Sequence, residues 1–120
     1  MNMEDVVSIG ANCVVRIGNR FFLLAEIEVE VLDLEVFVFI RISEREFRTL
    51  LRAGVRRCTI TNRIPTNNAE FKCVLIVNGE AFAVFDVENN VDEAVLVRIS
   101  LTRAEDLIRR GAMRCTVINR

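Results

Sequence analysis

The sequence contains no histidine, no tryptophan, no tyrosine and a single proline. Without histidine, imidazole-based nucleophilic triads and His-ligated metal sites are excluded within one chain. Without tyrosine and tryptophan, no phenol or indole can act at a site. Long apolar runs are also missing. Acidic or Arg residues interrupt the hydrophobic stretches every few positions, far short of the ~18–20 residues that span a bilayer. Met1 to Asp5 is acidic where a secretory signal would be basic, and no apolar core follows it. Lysine is nearly absent too: Lys72 stands against fifteen Arg. Arg pairs with carboxylate or phosphate in a planar, bidentate way that Lys cannot match. The absences together lead to the expectation of a cytoplasmic protein with no membrane contact, no cofactor, no metal and no catalytic residue.

What is present is 120 residues, 52% hydrophobic and 28% charged, with a net charge of −1. That composition argues against disorder. The length suits one ordinary domain, or two very small units sharing one core.

Self-comparison favours the second. Residues 37–63 and 94–120 align without gaps at an offset of 57, with twelve of 27 positions identical. The identical positions include Arg41, Ile42, Ser43, Gly54, Arg57, Cys58, Thr59 and Asn62. Upstream the match continues at an offset of 60, pairing Cys13-Val14 with Cys73-Val74 and Phe22 with Phe82. The chain therefore reads as a single domain made of repeat 1 (13–63) and repeat 2 (73–120). Residues 64–72 form the linker, which holds Pro65 and the turn-forming Asn67-Asn68. A unit of about 50 residues is marginal alone, so the two are expected to share one core with pseudo-twofold symmetry.

Within repeat 2, Phe71, Cys73, Leu75 and Val77 alternate as in a strand. Asn78-Gly79 is a strong hairpin signal, because both residues tolerate positive φ. Glu80 to Val87 is the return strand, residues 88–93 a polar turn, and Ala94 to Ile99 a third strand. Repeat 1 follows the same order, with Gly18-Asn19 at its first turn. The period then changes from 2 to 3.6. Phe47, Leu50 and Leu51 share one helical face, as do Ala104, Leu107 and Ile108. Ser43 to Glu46 and Thr102 to Glu105 each fit a capping box. Gly54 and Gly111 stand where a helix ends in the left-handed conformation. Last strands follow at 57–62 and 114–119. The expected fold class is α+β: two tandem β-β-β-α-β repeats, arranged as a sandwich or barrel-like mixed sheet with two short helices. Several strands are apolar on both faces, which an open one-sided sheet would not need.

The near-zero net charge is a cancellation. Residues 13–36 carry −3, 37–63 carry +5, 73–93 carry −5 and 94–120 carry +4. Glu26, Glu28 and Glu30 alternate with apolar residues, so one strand would show three carboxylates on one face. They form a candidate acidic face. Such a row is commonly a solvated guard against edge aggregation, and no glycine-bearing cation loop accompanies it. Opposite charges could meet inside the domain as cross-strand pairs, or between molecules as complementary faces.

The four Cys occupy equivalent positions in the repeats, Cys13 with Cys58 and Cys73 with Cys115. Reduced, buried thiols are the expectation for a cytosolic protein. A duplicated disulfide is the alternative if first and last strands are neighbours, and a Cys₄ zinc site would need four separate strands to converge. Arg45, Arg48, Arg52 and Arg56 recur at helical spacing as a basic stripe. Arg57 and Arg114 open the last strands, and Arg41 and Arg98 lie upstream. These eight are candidate anion- or partner-binding residues. The expected function is a non-catalytic structural or protein-interaction module that self-associates through its acidic and basic faces, with itself or another protein as partner. The alternative is a small nucleic-acid- or polyanion-binding regulator that uses the Arg stripe. Against it stand the acidic isoelectric point and the lack of surface aromatics for base stacking.

Overall fold

The computed structural model describes residues 6–88 and 92–120. The acidic start at 1–5 and the tip of the polar turn at 89–91 lie outside them. The chain forms β1 (Val6–Ile17), β2 (Arg20–Val29), a 3-10 turn (Glu30–Leu32), β3 (Leu34–Ile42), α1 (Glu44–Arg52) and β4 (Thr59–Thr61). It continues through β5 (Ala69–Val77), β6 (Glu80–Glu88), β7 (Asp92–Ile99), α2 (Leu101–Arg109) and β8 (Thr116–Ile118). The fold is mixed α+β. The segment 64–72 is shorter as a linker than its sequence suggests, because β5 begins at Ala69.

Two hairpins set the register. Gly18 (φ 62) turns β1 into β2, and Asn78 (φ 53) with Gly79 (φ 78) turns β5 into β6, the paired positive φ that a tight hairpin turn requires. Two four-stranded sheets result, ordered β1-β2-β3-β8 and β4-β7-β6-β5. The hairpin pairs are antiparallel, whereas β3–β8 and β4–β7 are parallel. Each short strand after a helix thus completes the sheet begun by the other part of the chain. On the way it binds its own first strand. The Val14 amide donates to the Arg56 carbonyl (2.9 Å) and the Cys58 amide to the Val14 carbonyl (2.8 Å). The Val74 amide likewise donates to Met113 (2.8 Å) and the Cys115 amide to Val74 (2.9 Å). These contacts join the two sheets at both seams, which resembles a closed barrel more than an open sandwich.

The seams correct the expectation of free thiols. Cys13 is bonded to Cys58 and Cys73 to Cys115, each pair with Cα atoms 4.9 Å apart. The reason is topological: parallel bridges Val14–Arg57 and Val74–Arg114 set the paired cysteines side by side. Bonded sulfurs also leave no Cys₄ zinc site. The Cys13–Cys58 pair is closed off, at 1% and 8% exposure, while Cys115 is only half-buried.

Between the sheets lies the main core. Phe22 and Leu24 of β2, Phe39 of β3, Leu75 of β5, Phe82 and Val84 of β6 and Leu96 of β7 pack there with both disulfides. The outer faces are apolar as well, and the helices explain part of this. Phe47, Leu50 and Leu51 of α1 pack on Phe21, Leu23 and Ile42. Ala104, Leu107 and Ile108 of α2 pack on Val74, Ala81 and Ile99. Beyond α2, Ala83, Val87, Val95 and Val97 form a further buried apolar group. Among the described residues no helix is long and apolar enough to cross a membrane.

The helix starts differ from the sequence reading in one respect. At α1 the Ser43 hydroxyl accepts from the Glu46 amide and Glu46 accepts from the Ser43 amide, a full capping box. At α2 the cap is Ser100, whose hydroxyl accepts from the Arg103 amide at 3.0 Å, and Thr102 lies inside the helix. Ser100 is the counterpart of Ser43 in the sequence alignment, so the offset of 57 points to the cap more reliably than the local Thr-x-x-Glu pattern. The left-handed helix ends hold at Gly54 (φ 97) and Gly111 (φ 105).

Candidate functional site

The inward face of β2 begins apolar with Phe22 and Leu24, then turns acidic with Glu26 and Glu28. Side-chain alternation forces this order, since all four residues lie two apart. β2 ends at Val29, so Glu30 belongs to the 3-10 turn rather than to the strand face. The expected trio Glu26, Glu28 and Glu30 is corrected accordingly. The turn closes at Asp33 (φ 48), whose amide donates to the Glu30 carbonyl at 3.0 Å. The chain reverses, and Glu35 of β3 comes directly opposite Glu28. Carboxylate oxygens of Glu26, Glu28 and Glu35 lie within 4.8 Å of one another. Hard cations take such oxygen donors, yet exposed acidic clusters are common without one, and the cluster carries no metal assignment.

At the tip of this hairpin, Val31, Leu32 and Leu34 are 65%, 61% and 48% exposed. Glu30 just before them and Asp33 among them are exposed too. A cavity of about 250 Å³ opens here, lined by Glu28, Glu30, Asp33 and Glu35 among others.

The basic residues gather on another part of the molecule. Arg45, Arg48 and Arg52 ride on α1, all exposed. Arg56 lies past the end of α1, in the segment that crosses toward β4, so the stripe is three helical residues long rather than four. Arg48 reaches Glu44 at 3.1 Å within the helix. Arg57 sets its guanidinium over the Phe47 ring, 5.2 Å from the centroid. Arg98 pairs across the sheet with Glu80 at 2.9 Å and lies over Phe82. Arg41 is exposed at the end of β3, and its carbonyl accepts from Arg120 at 3.1 Å. Arg114 lines a different cavity, of about 180 Å³, with Lys72, the Cys73–Cys115 disulfide, and Leu34 and Glu35 of β3. Arg41 and Arg45 thus border neighbouring cavities that share Glu46 and Arg120. Arg48 and Arg52 lie on the same helix as Arg45, Arg98 is paired with Glu80 and Arg114 lines another cavity.

Between α1 and the outward face of β2–β3 runs a groove of about 460 Å³, with Leu23, Ile40, Ile42 and Leu50 in its walls. Arg45, Thr49, Glu46 and Arg120 form its rim. The Arg120 guanidinium donates to both Glu46 carboxylate oxygens at 2.5 Å. That contact, followed by the Ser43 amide, holds the Glu46 carboxyl below its ordinary pKa. Sequence reasoning missed Arg120 and the apolar groove. Arg120 aligns with Arg63, but nothing local signals that the last residue returns to α1.

The charge separation is only partial in space. Register places Glu26 opposite Phe37 and Glu28 opposite Glu35 across β2–β3, and Lys72 and Arg114 share a cavity with Leu34 and Glu35 at the acidic end of β3. Ion pairs such as Arg48–Glu44 and Arg110–Asp106 join neighbours one helical turn apart. Arg98–Glu80 is a cross-strand pair of the kind that internal neutralisation would need. No family model matches the chain, and no curated protein or solved structure is significantly similar to it.

Proposed function

We propose that this chain is a non-catalytic structural or protein-interaction module that self-associates through complementary acidic and basic faces. The observation that carries the reading is the separation of the acidic turn, with Glu30 and Asp33, from the α1 groove that carries Arg45. Both belong to the β2–β3 hairpin, but Leu23 in the groove and Val29 at the tip are six residues apart on one extended strand. At about 3.3 Å per residue that is roughly 20 Å. A stiff strand cannot fold its own ends together, so the acidic turn and the α1 groove can meet only between molecules.

The module is best read as two copies of one β-β-β-α-β unit, 13–63 and 73–120, related by a pseudo-twofold axis within a single domain. The exchange of β4 and β8 between sheets and the matched cysteine pairs support this. Two disulfides weigh against the cytoplasmic setting expected from the sequence. Disulfides persist in oxidising compartments, and within cells chiefly in hyperthermophiles.

Size-exclusion chromatography with light scattering, over a concentration series at low and high salt, tests the proposal. Salt-sensitive assembly is expected, and a monomer under all conditions would refute it. The polyanion-binding alternative draws on exposed Arg45 and Arg52. A mobility-shift assay at low salt, where phosphate contacts are strongest, separates the two readings.

A further inference from the structure

We infer that the turn formed by residues 30–34 of one molecule docks into the α1 groove of a second copy, head to tail. This rests on the self-association proposed above and names its two surfaces.

The turn is an apolar knob. Val31, Leu32 and Leu34 are between 48% and 65% exposed within four consecutive positions. Single exposed apolar side chains are ordinary, but a contiguous group rimmed by polar residues marks an interaction site. Here the rim is Glu30 and Asp33, both exposed. The groove has the same plan. Its walls are Leu23, Ile40 and Leu50, and its rim carries Arg45 beside the Arg120–Glu46 ion pair, a net positive charge of one. An apolar centre inside a polar rim is the usual anatomy of a protein interface. Arg45 is placed to meet a carboxylate from the incoming turn, while Arg120 stays anchored on Glu46.

The occupant is a second copy: the turn offers apolar Val31, Leu32 and Leu34 to the groove walls and Glu30 and Asp33 to Arg45, and the chain's own turn lies roughly 20 Å away along the same stiff hairpin. Knob and groove are different patches, so the contact is heterologous. Contacts of that kind build rings or open filaments rather than a closed symmetric pair.

The test uses two full-length variants and their mixture. Val31→Asp with Leu32→Asp removes the apolar knob and keeps its charge sign. Arg45→Glu with Thr49→Glu reverses the groove rim at two exposed positions of α1. Far-UV circular dichroism checks that both fold. Each variant alone is expected to associate at least about tenfold more weakly than the wild type. An equimolar mixture is expected to form a 1:1 dimer that does not grow, because one intact groove meets one intact knob. Wild-type-like assembly by either variant, or a mixture without the dimer, overturns the docking mode while charge-driven self-association survives. A wild type that is monomeric at every salt and concentration overturns both.

Discussion

Thr59 of β4 stands in parallel register with Val95 of β7. The first half of the chain thus ends inside the sheet of the second, and Thr116 beside Val38 returns the exchange. Neither half can complete its sheet or its core alone. The protein is therefore expected to unfold in one cooperative step, with fluorescence-independent probes such as far-UV and near-UV dichroism coinciding in urea. Leu96→Ala, at a fully buried position between the sheets, should cost about 2–5 kcal/mol. Two separate transitions would mean that the halves are independently stable.

The disulfides span 45 and 42 residues. On the loop-entropy account each stabilises the fold by about 4 kcal/mol, and a Cys13→Ala, Cys58→Ala pair should lose roughly that amount in a denaturant titration. Reduction should proceed in order. Cys115 is half-buried and lines a cavity with Lys72 and Arg114, while Cys58 is closed off. Access and nearby cations both favour thiolate release. Stepwise treatment with a small thiol, followed by alkylation and peptide mapping, should open Cys73–Cys115 first. Equal rates at the two bridges would contradict this.

The cap assignments separate two nearby hydroxyls. Ser100→Ala removes the bond to the Arg103 amide and should lower stability by about 1 kcal/mol. Thr102→Ala, inside α2, should change it by no more than about 0.5 kcal/mol. Comparable losses at both positions would return the helix start to Thr102.

Glu46 gives a pH-dependent term with a definite sign. Arg120 and the Ser43 amide hold its folded pKa below the ordinary glutamate value. The unfolded chain therefore binds the proton more readily. The stabilisation is fully present above the ordinary value and is lost as pH falls through the lowered one. Glu46→Gln should flatten the acid side of the stability curve by that share, as measured by melting temperature between neutral and acidic pH. An unchanged acid slope would show that the contact contributes nothing.

The two hairpin turns touch. A Cβ added to Gly18 (φ 62) would fall on the Asn78 carboxamide, whereas one added to Gly79 (φ 78) meets nothing within 4 Å. Both substitutions by Ala carry a left-handed backbone cost of about 1 kcal/mol. Gly18→Ala also requires the Asn78 carboxamide to swing aside, so its melting temperature should fall at least as far as that of Gly79→Ala.

Short-range chemistry determined most of the local structure. The Asn78-Gly79 turn, the alternation through Leu75 and Val77, the Ser43–Glu46 box and the Gly54 and Gly111 stops all act over two to four residues, and each is legible in sequence. The internal match between 37–63 and 94–120 is legible too, and it marks the equivalence of Ser43 and Ser100. The segregation of charge into acidic hairpins and Arg-rich segments needs no structure to be seen.

Only the tertiary structure decided which strands pair after each helix, because Thr59 and Thr116 have the same local chemistry whichever sheet receives them. That choice set Cys13 against Cys58 and Cys73 against Cys115, and so made disulfides of what composition alone would leave as thiols. It also turned the chain at Glu30, replacing that residue by Glu35 beside Glu28, and carried Arg120 back to Glu46. Long-range pairing depends on how whole faces fit and on which edges remain open, and no window of sequence contains that information.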